Sequence, residues 1–149
     1  MEQHLLEKVR DGLVELRPKN HGVARICGFA KLADAVAESA TLQVLYLQSQ
    51  PLLDDLALRL LAVALTKNKR IIGINLGELD NVSSAGWAAF IDTVPQTGLL
   101  HCYAQTTMGG PGAAECARLK AAIVRNRQRL EASPSNCKGM WRNSDYPLM

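Results

Sequence analysis

Ser83 and Ser84 are the side chains best placed to act as nucleophiles, with Gly86 close behind them. No Gly-x-Ser-x-Gly elbow surrounds them, and they fit better as the cap of a helix, where a hydroxyl accepts from free backbone N–H groups. His4, His21 and His101 fall one to a segment, without the paired spacing of a metal-binding helix. Asp54-Asp55 offers two carboxylates but no third acid in phase, so helix capping is again the expected role. Met108-Gly109-Gly110-Pro111-Gly112-Ala113 leads into a helix as a phosphate loop would, yet lacks the Lys-Ser/Thr pair that completes one. Cys102 is expected on an outward strand position as an accessible thiol, with no cation near enough to activate it. The expectation is therefore a chain with no catalytic residues, no metal and no cofactor, and not an enzyme.

The elements that carry these residues repeat. Thr41 to Val94 overlays itself at an offset of 29 residues: Leu42 falls on Ile71, Leu45 on Ile74, Leu47 on Leu76, Leu61 on Phe90 and Leu65 on Val94. Alternation at Leu45 and Leu47 reads as strand, and the spacing of Leu58, Leu61 and Leu65 reads as helix. One strand–turn–helix unit cannot bury its apolar faces alone, so it must stack on copies of itself. Extended in both directions, the period gives about four units over 13–128. Pro18 interrupts the first strand, and the fourth reads as degraded, with Leu100 and Tyr103 in phase and Gln105 replacing a leucine. Residues 1–12 read as an N-terminal capping helix, and 129–149 as a basic, aromatic-containing tail after a break at Ser133-Pro134-Ser135-Asn136.

Charge and cysteines narrow the setting. The net charge is +3, but from Arg118 onward seven Lys and Arg face two acids, so the C-terminal end is basic. That suggests an acidic partner, and a nucleic-acid-associated module using this end is the alternative function. Cys27, Cys102, Cys116 and Cys137 show no paired spacing, which fits a reducing intracellular compartment: the cytoplasm, or an organelle interior after removal of a transit peptide. No stretch has the roughly 18 apolar residues of a membrane span.

The pattern Leu42-x-x-Leu45-x-Leu47-x-x-Gln50, followed by Leu52, Asp54, Ala57, Leu61, Ala64-Leu65 and Asn68, resembles the leucine-rich repeat of the ribonuclease-inhibitor type. Where that family usually carries Asn at the ninth position, this chain has His21, Gln50, Leu79 and Met108, so other groups must close the turns. The resemblance implies an α/β leucine-rich-repeat solenoid, parallel strands on its inner face and helices outside. It also implies a protein-binding scaffold, here an accessory or adaptor subunit of a larger complex. The contact face would be Val44, Tyr46, Gln48, Gly73, Asn75, Gly77, Cys102, Ala104 and Thr106, extended by Arg17 and Lys19 and anchored on Tyr46. A second contact is expected from Arg129, Lys138, Met140, Trp141, Arg142 and Tyr146.

Overall fold

The structure, a computed structural model, describes residues 2–17, 23–104 and 110–132. Helix α1 spans Glu2–Asp11, strand β1 Glu15–Leu16, helix α2 Val23–Glu38 and strand β2 Val44–Tyr46. Helix α3 spans Asp55–Lys67, strand β3 Gly73–Asn75, helix α4 Ser84–Thr93, strand β4 His101–Tyr103 and helix α5 Ala113–Glu131. The four strands form one parallel sheet in the order β1-β2-β3-β4. Each helix packs on the next along the chain, and the core lies between the helices and one face of the sheet.

Local chemistry sets the helix ends. Asp54 caps α3 by accepting from Ala57 N at 2.9 Å, and Ser83 caps α4 by accepting from Gly86 N at 3.1 Å. Leu58, Leu61 and Leu65 of α3 are buried on one stripe, each contributing about 2 kcal/mol by removal from water. Trp87 and Phe90 of α4 meet edge to face, ring centroids 6.3 Å apart. Pro95 cannot continue the helix, and Val94–Gln96 tightens into one 3-10 turn. Gly28 breaks α2 internally with φ of 70°, where a side chain is disfavoured.

Asp55 does not serve its own helix. Its carboxylate accepts from Ser83 N and Ser83 Oγ in the next unit, and these bonds hold its pKa below the ordinary carboxylate value. A Cβ on Gly86 would overlap that carboxylate, which explains a glycine in the first turn of α4. At the opposite helix ends, Asn68 Nδ2 donates to Val36 O and Ser39 O, both at 2.8 Å. Asn126 Nδ2 does the same for Val94 O and Leu99 O. Both asparagines are buried, and each satisfies carbonyls left over where the preceding helix stops.

The register corrects the reading of the fourth strand. Glu15 pairs with Val44 and Val44 with Gly73, but Gly73 pairs with His101, one residue short of the 29-residue period. The connection after α4 is compressed: Gly98 lies so close to the Lys69 backbone that no Cβ would fit between them. Leu99, Cys102 and Ala104 therefore take the inward positions held by Ile71, Ile74 and Leu76. Leu100 is only half-buried, and Tyr103 is out of the phase expected for it. Cys116, Leu119 and Ile123 of α5 keep the 29-residue phase, so the loop after β4 restores the missing residue.

Just before β4, one carbonyl at the sheet edge is met by a side chain. Gln43 O accepts from Ile72 N at 2.9 Å, and Ile72 O from Leu100 N at 2.8 Å. Leu100 O, next in this series, accepts from Arg127 Nε at 2.8 Å. Arg127 thus stands where a fifth strand would bond.

Candidate functional site

The sheet has a second face that the core does not use. Val44, Tyr46 and Gln48 project there from β2 and its extension, alongside Gly73, Asn75 and Gly77. Val44 and Tyr46 are only 2% and 9% exposed, yet neither belongs to the hydrophobic core cluster. The Arg17 guanidinium lies over the Tyr46 ring, 3.8 Å from its centroid, in cation–π geometry. Gln48 Oε1 is buried and meets no donor among the described residues.

Two of the expected contact residues are elsewhere. Cys102 and Ala104 face the core, at 6% and 0% exposure, because of the shortened register. Cys102 is no accessible thiol: burial, with the neighbouring Cys116 adding to it, pushes its pKa up to about 12. His101 and Tyr103 hold the outward positions instead. The Tyr103 ring rests over Gly77, where a Cβ would come within 3.0 Å of Cε1. A 29-residue count hides both residues; the signal that would have found them is Leu99, a better inward anchor than Leu100. Thr106 and Lys19 lie outside the described residues.

His101 is bound into this corner. Arg127 Nη2 lies 3.0 Å from His101 Nδ1, and a guanidinium can only donate, so Nδ1 accepts and the ring proton sits on Nε2. Burial and then the Arg127 charge lower the pKa of His101. Burial first, and then the contact that orients the ring, disfavour its charged form.

Three cations of the basic C-terminal helix bond within the fold, while Lys120 and Arg125 stay exposed. Arg118 pairs with Asp92. Arg129, expected to meet a partner, instead donates to Pro95 O at 2.8 Å and Thr97 O at 3.0 Å, closing the turn after α4. Carbonyls at the end of a helix attract a cation from the neighbouring helix, and Arg129 stays exposed while it meets them. Lys138, Met140, Trp141, Arg142 and Tyr146 lie outside the described residues.

The turns expected to lack an asparagine ladder are closed piecemeal. Ser49 and Glu78, at equivalent places, adopt φ of 55° and 57°, and their side chains bond each other. Asn81 Nδ2 donates to Pro51 O at 2.7 Å. On the helical side, a groove of about 260 Å³ runs between α3 and α4, lined by residues including Arg59, Val63, Ala85 and Ala89. Among the described residues no three His, Cys, Asp or Glu side chains converge, and no helix is long and apolar enough to cross a membrane.

No protein-family model matches the chain, and no curated protein sequence matches it. Among solved structures the fold is similar to the leiomodin-1 actin-binding site 2, with a TM-score of 0.66 and 15% sequence identity. The match covers 88% of this chain and 92% of that one. At this identity the likeness is one of fold.

Proposed function

We propose that this chain is a short leucine-rich-repeat solenoid that binds another protein through its inner strand face and catalyses nothing. It would act as an accessory or adaptor subunit. The observation that carries the reading is the set of large side chains on the sheet face that the core leaves unused: Val44, Tyr46 and Tyr103, with Arg17, Asn75 and His101 around them. Aromatic side chains with an arginine are the usual anchors of a protein interface. Gly73 and Gly77 make room on the face for the side chains of Val44 and Tyr103. The fold likeness to an actin-binding site supports a protein partner and makes actin the first one to assay.

The test is quantitative affinity purification of the full chain from its native cells. Tyr103→Ala and Asn75→Arg change the inner face, and Val63→Arg on the helical side serves as control. A single set of proteins should fall at least tenfold with both inner-face variants and persist with the control. A set that survives both inner-face variants, or vanishes with Val63→Arg, overturns the reading.

A further inference from the structure

The C-terminal ends of α3, α4 and α5 share one edge of the fold, and that edge is basic. Lys67, Lys69 and Arg70 lie together at the end of α3, and Arg125 and Arg129 stand one turn apart on α5. All five are exposed, and none pairs with an acid among the described residues. Two contacts bring the groups together. Gly98 lies against the Lys69 backbone, and the Arg129 guanidinium donates to Thr97 O at 3.0 Å. Thr97 and Gly98 are consecutive, so their Cα atoms are about 3.8 Å apart. The turn after α4 is thus held between the end of α3 and Arg129, and Arg125 adds its charge about 6 Å along the same face of α5.

A cation at a helix C-terminus is favoured by its own helix, which suits each of these residues singly. Together, with no acid paired to them, they concentrate positive potential on one edge. The last carbonyls of α3, from Leu65 to Lys67, lie at the same edge without partners in their own helix. The complement of such a surface carries anions and N–H donors together. A nucleic-acid backbone brings phosphates but no N–H groups, and Trp87 and Phe90 of the intervening α4 are buried, offering no ring to a base. The acidic first turn of a helix brings both, free backbone N–H groups and carboxylates at its positive end.

We propose that this edge docks the acidic first turn of a helix belonging to the partner protein, end to end with α3. The edge adjoins the inner face: Arg127, between Arg125 and Arg129 on α5, lies 3.0 Å from His101, an outward residue of β4. That one partner spans both surfaces rests on the function proposed above; the affinity of the edge for such a turn does not.

The experiment titrates the full chain, at low ionic strength, with two fluorescein-labelled helical peptides of equal composition. One opens with Ser-Asp-Glu-Glu on an alanine-rich helix, and the other carries the same four residues at its C-terminal end. The first should bind, and the second at least fivefold more weakly. Lys69→Glu/Arg70→Glu on one element and Arg125→Glu on another should each weaken the first peptide about tenfold. All three side chains are exposed, so these variants keep the fold, and Arg129, which closes a turn, is left intact. Tyr103→Ala on the inner face should leave peptide binding unchanged. No binding of the first peptide, equal binding of the two, indifference to either charge reversal, or tighter binding of a labelled single-stranded or duplex DNA each overturn the proposal. The peptides do not need the inner face, so failure here leaves the affinity-purification test standing. Failure of that test removes the shared partner and leaves the edge.

Discussion

Asn68 and Asn126 close the same gap two units apart, each giving both amide protons to carbonyls stranded at a helix end. Removing either leaves one buried acceptor unpaired, Ser39 O or Leu99 O, while Val36 O and Val94 O keep bonds from Ser39 and Thr97, so Asn68→Ala and Asn126→Ala should each lower stability by about 2 kcal/mol, read from urea denaturation. Exposed Asn81, with one bond to Pro51 O, should cost less than about 1 kcal/mol on the same change. Cys102 is predicted to resist iodoacetamide at pH 8 in the folded chain and to react on unfolding, since its thiol is buried and its pKa is about 12. Peptide mapping of the labelled protein checks this; rapid labelling of native Cys102 would contradict its inward placement. His101 makes stability pH-dependent. Its pKa in the folded chain lies below the ordinary 6.5, so as pH falls the unfolded chain takes the proton first. The contribution is whole above about 6.5 and is lost as pH drops through the folded value. Between pH 8 and pH 5, His101→Gln should lose less of its urea midpoint than the native chain.

Between elements, the clasp of Asp55 on Ser83 joins α3 to α4, and Gly86 leaves room for it. Gly86→Ala should lower the thermal midpoint by displacing the carboxylate. In an Asp55→Ala background the same change should be neutral or stabilising, because alanine is the better helix former once the space is free. Additive losses in that double-mutant cycle would refute the clasp. Most element positions were readable from the apolar pattern, because Leu42, Leu45 and Leu47 and their copies mark strands while Leu58, Leu61 and Leu65 mark a helix. Asp54 and Ser83 were readable as caps for the same reason: capping is local chemistry. Asp55, Asn68 and Arg129 were not, since each acts on a neighbouring unit about 30 residues away. The one-residue compression at Gly98 was also hidden, and it misplaced Cys102, Ala104, His101 and Tyr103 together, because a slip of one turns every side chain of a strand over.

At the scale of the molecule, three of the seven cations in the basic C-terminal end that suggested a nucleic-acid partner bond within the fold, while Lys120 and Arg125 stay exposed. Arg118 holds Asp92, Arg127 bonds Leu100 O beside the sheet edge and Arg129 closes a turn. The second sheet face carries Tyr103, partly exposed, and Tyr46, buried under a stacked arginine, both outside the core cluster. The helical side presents Leu56 and Val63, exposed by 64% and 47%, as the competing apolar surface. Oxidative footprinting of the purified complex separates the two. Partner binding should protect Tyr103 and His101 severalfold from hydroxyl radical and leave Leu56 and Val63 unchanged. Protection of Leu56 and Val63 with Tyr103 and His101 unaffected would contradict an inner-face interface.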